Sequence, residues 1–205
     1  MDAKAGNVMR CKQTWKAATR YAGKDLPLFI DCGPGHVGTE AWMCAENYPE
    51  CCIVGFEPHE GRYDVLKPSY PGDLHCAAVS YLDGSVYGWN GLAEAGLPHS
   101  DFKVRLGAND DCHNYAPLPV PCLKLDTFFR GEDVANAFLW ADVEGSELNV
   151  LRGAQDLLST GAIKVVVVEL IPDEYDLTRE QVDSFLHGLD IHLREVVLND
   201  YIYTL

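Results

Sequence analysis

Four short apolar runs in the sequence each stop on a carboxylate. Leu28 to Ile30 meets Asp31, Cys52 to Phe56 meets Glu57, Ala137 to Ala141 meets Asp142, and Val165 to Val168 meets Glu169. Carboxylates so placed can hold ribose hydroxyls, take a proton from a hydroxyl nucleophile or bind a hard cation. Glu144 and Glu147 lie just past the third run. In open α/β sheets ligands bind beyond the carboxyl ends of the strands, so four acidic strand ends define one polar rim. Their mutual repulsion needs a cation, a sulfonium or hydrogen-bond donors to offset it. For each residue alone, the competing reading is helix capping or loop bracing.

Glycines follow the first of these carboxylates at once, in the order Gly33-x-Gly35-x-x-Gly38, and residues 37–47 suit a helix. An apolar strand, a glycine turn and a helix form a nucleotide-cradling unit. The turn must be tight, and a ligand must approach the backbone without meeting a Cβ. The helix start adds unpaired N–H groups. Glu57-Pro58 closes the second strand, and Glu57 lies 24 positions beyond Gly33, placed to accept two ribose hydroxyls. These residues point to a nucleoside and leave S-adenosylmethionine and NAD both open.

The elements that must position this chemistry can be read in order. Residues 7–22 suit a helix with Val8, Cys11, Trp15 and Ala18 on one face, packing on the sheet edge or covering the cofactor mouth. A helix over 37–47, a strand over 52–56, a short helix over 60–67 and a strand over 73–80 follow. A turn at 82–85 leads to an extended segment through Trp89. Between Asn90 and Pro121 the pattern disappears into Gly, Pro, Asp, Asn and His, as in a functional loop. Strands over 120–125, 137–141 and 165–168 then alternate with helices over 146–160 and 178–188. A hairpin turning at Asn199-Asp200 ends the chain. The fold class expected is α/β, a doubly wound mostly parallel sheet with a C-terminal antiparallel hairpin. A single domain spans 1–205, with an N-terminal helix in 1–26 and a substrate-loop insertion at 90–121.

The 205 residues are 47% hydrophobic and 23% charged, ordinary for a globular protein. The net charge of −15 is uneven. Residues 1–24 carry six Lys or Arg against Asp2, whereas the rest carries 10 basic and 30 acidic side chains. A body this acidic argues against nucleic acid as partner, because phosphate contacts need a basic face. No apolar run is long enough for a membrane span and no signal-peptide core is evident, which implies a cytoplasmic protein. Oligomeric state is not encoded legibly. Eight cysteines show no zinc spacing. Cys32, Cys52, Cys76 and Cys122 fall in strand-like runs and are expected as buried, reduced core residues.

The stretch LWADVEGSELNVLRGAQDLL, with FIDCGPGHVG, GFEPHE, AAVS–DGSV and LKLDTF, closely resembles the FkbM-type methyltransferases from about Phe29 to Glu169. The resemblance implies a Rossmann-like class I fold, S-adenosylmethionine as methyl donor, and O-methylation of a sugar, other glycan component or polyketide-like small molecule. By position, Asp31, Gly33, Gly35 and His36 would line the methionine side and Glu57, with Pro58, the ribose. Ala78 would flank the adenine, and Asp142 would face the methyl group. Asp142, helped by Glu144 or Glu169, would orient or deprotonate the acceptor. Trp89 and Tyr115 would stack on a sugar face, while His99, Asp110 and His113 would bond its hydroxyls. A divalent metal on Asp142 and Glu169 is compatible with the spacing and not demanded by it. The family usually carries Lys where this chain has Trp140. That departure keeps a non-catalytic nucleotide-binding module as one rival, beside an NAD-dependent oxidoreductase.

Overall fold

The computed structural model describes residues 3–90, 102–105, 118–171 and 177–205. Helix α1, Ala3–Ala22, buries Cys11, Thr14, Trp15, Ala18 and Ala22, a stripe at helical spacing. Lys12, Lys16 and Arg20 stay exposed, so most of its basic face is solvated. Strand β1 (Leu28–Cys32), helix α2 (Thr39–Asn47), β2 (Cys52–Phe56), α3 (Glu60–Leu66) and β3 (Asp73–His75) follow. Next come β4 (Ala78–Val79), β5 (Gly84–Asn90), β6 (Phe102–Arg105), β7 (Leu118–Leu123) and α4 (Leu125–Phe128). The second half holds β8 (Ala137–Ala141), α5 (Glu147–Gly153), α6 (Gln155–Ser159) and β9 (Ile163–Glu169). It ends with α7 (Arg179–His187), β10 (His192–Val197) and β11 (Asp200–Thr204).

The main sheet has the order β10-β11-β9-β8-β1-β2-β3. The five strands from β9 to β3 run parallel, and β11 is antiparallel to both its neighbours. This is the doubly wound sheet with a terminal antiparallel hairpin that the sequence implies. Alternate residues face opposite layers. Phe29, Ile53, Phe138, Trp140, Val165, Val167 and Ile202 pack under α1 and α2. Leu28, Ile30, Val54, Phe56, Leu139, Val166 and Val168 pack with side chains of α5, α6 and α7. Trp15 anchors α1 to its layer, stacked on Phe138 at 5.6 Å and edge-on to Phe29 at 5.5 Å.

Several expected boundaries move, each for a physical reason. The strand expected over 73–80 divides at Cys76-Ala77: β3 stays in the main sheet, and β4 joins a second sheet of order β4-β7-β5-β6. β6 lies inside the 90–121 stretch where no strand was expected, paired with β5. The helix expected over 146–160 breaks at Ala154 (φ −114°), and the Asp126 carboxylate accepts from the N–H of Asp156 and Leu157 to cap the second piece. Gly38, left-handed at φ 59°, delays α2 to Thr39. The last hairpin turns at Leu198-Asn199, with Leu198 at φ 58°, which frees Asp200 to open β11. Cys32 and Cys122 are buried, but Cys52 opens β2 exposed and Cys76 is half-buried between two strands. Thr178 caps α7 reciprocally with Gln181.

Candidate active site

The glycine loop lies across the carboxyl ends of β1, β2 and β8. The Gly33 N–H donates to the Phe56 carbonyl at 3.0 Å, and the Asp142 N–H donates to the Cys32 carbonyl at 3.0 Å. Gly33 has φ 88°, and a Cβ there would collide with the Asp142 carbonyl oxygen, so glycine is required for this approach. Gly35, at φ 63°, has open space where a Cβ would project. Glu57 grips the loop: its carboxylate accepts from Gly35 N–H at 3.1 Å and from His59 N–H at 2.8 Å. It is 1% exposed, and burial raises its pKa to about 7 against the pull of those two N–H groups and Arg62. Asp31 lies beneath the loop, buried, and accepts from Tyr70 Oη at 3.0 Å. Burial and the neighbouring Glu40 push its pKa well up.

The period-2 alternation that puts Phe29, Trp140, Val167 and Ile202 under α1 carries Asp31, Asp142, Glu169 and Asp200 to the same face. Asp200 pairs directly with Glu169 across β11 and β9. Arg10 of α1 projects into this group. Its Nη1 donates to Glu169, its Nη2 lies 3.4 Å from Asp142 Oδ2, and its Nε lies 3.7 Å from Asp200 Oδ2. One turn along α1, Thr14 donates to Asp200 at 2.5 Å. The three carboxylates differ in access: the Asp142 side chain is 25% exposed, Glu169 8% and Asp200 1%. Burial and the charge of Glu144 raise the Asp142 pKa, and Arg10 opposes them. Glu147 braces the turn after β8, accepting from Val143 N–H at 3.1 Å and Gly145 N–H at 3.2 Å. Burial raises its pKa to about 7.

The structure thus brings Asp31, Gly33, Gly35, Glu57, Asp142 and Glu169 to one edge, with Glu144 in the left-handed region (φ 57°) on the turn beside Asp142. His36 is exposed on the glycine loop and Pro58 half-buried beside Glu57. Ala78 is buried in β4, paired with Cys122 of β7. Trp89 lies in β5 opposite Lys103, its side chain outside the described residues. His99, Asp110, His113 and Tyr115 also lie outside them. Trp140 is fully buried against Trp15, turned toward the α1 layer. Between Asp142 and Glu169, where a divalent metal is compatible with the sequence, lies the Arg10 guanidinium. Among the described residues no group of three or more His, Cys, Asp or Glu is arranged to hold a metal ion. Sequence reasoning missed Arg10 and Asp200. The available signal was the helical spacing of Arg10 and Thr14, which share a face with the buried stripe.

Solved structures similar to this chain include two described as methyltransferases. The magnesium protoporphyrin IX methyltransferase ChlM from Synechocystis PCC 6803, with bound SAM, aligns at TM-score 0.52 and 10% identity over 98% of this chain and 80% of its own. A putative RNA methyltransferase from Pyrococcus horikoshii aligns at TM-score 0.47 and 9% identity over 95% of this chain and 82% of its own. At these identities the likeness shows the fold alone. No curated protein matches the chain by sequence. The profile of the methyltransferase FkbM domain matches residues 31–194, most of the chain, and the chain therefore belongs to the FkbM family of S-adenosylmethionine-dependent methyltransferases.

Proposed function

We propose that the protein transfers a methyl group to a hydroxyl of a sugar, glycan component or related small molecule, with Asp142 orienting that hydroxyl and taking its proton. The observation that carries this reading is the graded access of the carboxyl edge. Asp142 is a quarter exposed, while Glu169 and Asp200 behind it are closed off. A carboxylate whose pKa is raised by burial and by Glu144 is a stronger base than an ordinary aspartate.

The residues present fit the cofactor. Gly33 and Gly35 leave the backbone open to close approach, α2 begins with no side-chain cap, and Glu57 stands at the end of β2. Each Glu57 oxygen holds one N–H and keeps further acceptor capacity for a ribose hydroxyl. When bound, S-adenosylmethionine would supply an electrophilic methyl group on a sulfonium and would leave as the neutral thioether S-adenosylhomocysteine, the acceptor hydroxyl losing its proton. This chain's part is alignment, which in favourable cases accounts for about 7–11 kcal/mol of a barrier, and proton removal, about 100- to 10,000-fold. The hydroxyl acceptor follows from the family resemblance. The acidic body, 30 acidic against 10 basic side chains beyond residue 24, argues against nucleic acid as substrate.

Calorimetric titration with S-adenosylmethionine and S-adenosylhomocysteine, on this chain and Glu57→Ala, tests the cofactor side. Micromolar binding is expected, weakened about tenfold or more by the substitution. Radiolabelled methyl transfer to a panel of sugars, amines and polyols then tests the acceptor side. Label on amines and not on sugars would overturn the hydroxyl assignment. Tight cofactor binding with no transfer to any acceptor would favour the non-catalytic module.

A further inference from the structure

We propose that Arg10 is a positioning residue. Its guanidinium is a built-in counter-cation that holds Asp142, Glu169 and Asp200 in place. The proposal rests on the reading of Asp142 as the group that meets the acceptor.

Three carboxylates, one just past β8 and the others in β9 and β11, converge on one guanidinium, and each of its nitrogens faces a different one. Asp200 and Glu169 are direct cross-strand partners, and like charges so opposed are destabilising. Asp200 Oδ1 is buried and has no hydrogen-bond partner among the described residues, so the carboxylate depends on the charge beside it. A guanidinium suits this place because it stays protonated and offers planar donors in several directions at once. Its origin is fixed as well. Trp15 ties α1 to the aromatic layer, and Thr14 bonds the same Asp200 one turn away, so Arg10 enters from a rigid element. Glu169 and Asp200 keep the guanidinium at the back of the group, leaving Asp142 the exposed member. Three converging carboxylates are also what a hard divalent cation seeks. With Arg10 in place the three are not arranged to hold a metal ion; without it, their mutual repulsion should draw in a small cation through a shift of the side chains, a gain that a merely structural arginine would not produce.

The test uses Mn2+ as probe, followed by electron paramagnetic resonance, on the parent, Arg10→Ala, Arg10→Lys and Arg10→Met. The methionine variant keeps an apolar stem in case the alanine variant misfolds. Arg10→Ala and Arg10→Met should bind Mn2+ about tenfold or more tighter than the parent, the expected result of uncovering paired carboxylates. Adding Glu169→Gln to Arg10→Ala should abolish the gained site, and millimolar methylguanidinium should displace the ion. In methyl transfer, Arg10→Ala should lose kcat with cofactor Kd unchanged, and methylguanidinium or the lysine variant should restore part of it. Folded Arg10 variants that bind Mn2+ no better than the parent, or that turn over at the parental rate, would overturn the proposal. Asp142→Asn separates the two readings. If it is as active as the parent, the assignment of Asp142 fails. If it is inactive while Arg10→Ala is fully active, Asp142 stands and the role given to Arg10 fails.

Discussion

Gly33 is where the loop after β1 meets the end of β8. A side chain there faces two penalties at once: φ of 88°, which L residues rarely adopt, and a collision with the backbone carbonyl oxygen of Asp142. Gly33→Ala should therefore destabilise the fold by about 3 kcal/mol or more, combining left-handed strain with a backbone clash. It should also weaken cofactor binding, because relief requires moving either the glycine loop or the Asp-Val-Glu-Gly turn. Urea unfolding and calorimetry on the same preparation check both, and a stable variant with parental affinity would contradict this account of the loop. At this scale the sequence was legible where chemistry is local. Asp31, Glu57, Asp142 and Glu169 announce themselves because each follows an apolar run. Arg10 and Asp200 do not. Arg10 and Glu169 are 159 positions apart, and their meeting depends on where α1 lands on the sheet. Asp200 was hidden by a hairpin that turns one residue earlier than the Asn199-Asp200 pair suggests, since Leu198 takes the left-handed position usually given to Asn or Gly.

The elements of the main sheet are legible from apolar runs and their terminators, whereas the breaks within elements come from tertiary contacts. Residues 146–160 carry an unbroken helical pattern, yet α5 stops at Gly153, where the backbone passes so close to the Ser80 carbonyl after β4 that an added Cβ would collide with it. The next helix is capped from outside by Asp126 of α4. Local propensity has no access to either fact. Gly153→Ala makes the conflict measurable. On propensity alone, alanine in place of a helical glycine stabilises by up to about 1 kcal/mol. Here the added Cβ meets a backbone oxygen that belongs to another element, so the expected sign is reversed, a loss of about 2 kcal/mol or more in urea unfolding. Stabilisation would mean that α5 and the segment after β4 separate freely. The second sheet escaped reading for a related reason: residues 73–80 read as one apolar strand, but the chain bends at Cys76-Ala77, so that β3 pairs in the main sheet and β4 pairs with β7.

For the molecule as a whole, the concentration of buried carboxyls at one edge sets the direction of its pH response. Burial raises Glu57 and Glu147 to about 7 and shifts Asp31, Glu40, Asp142 and Asp200 upward as well. A carboxyl whose pKa is higher folded than unfolded binds more protons in the folded state over the interval between the two values. The stability it contributes is complete below its ordinary pKa and is lost as pH rises through the folded one. The fold should therefore weaken between about pH 4.5 and pH 7, with an upper bound of about 3 kcal/mol for each of Glu57 and Glu147. Growing net negative charge acts in the same direction, so the slope alone does not identify these two residues. The double variant Glu57→Gln/Glu147→Gln does. It removes two titrations. Glu147→Gln keeps the one oxygen that accepts from Val143 and Gly145, whereas Glu57→Gln keeps an acceptor for only one of Gly35 and His59. The double variant should therefore be less stable overall, but its unfolding free energy should fall less steeply than the parent's over the same range. Urea unfolding at half-unit pH steps compares the slopes. Equal slopes would place the proton uptake elsewhere in the group, with Asp31 and Asp142 next to be tested. A parent that gains stability toward alkaline pH would show that Arg10 and the backbone N–H groups outweigh burial, leaving the rim ionised throughout.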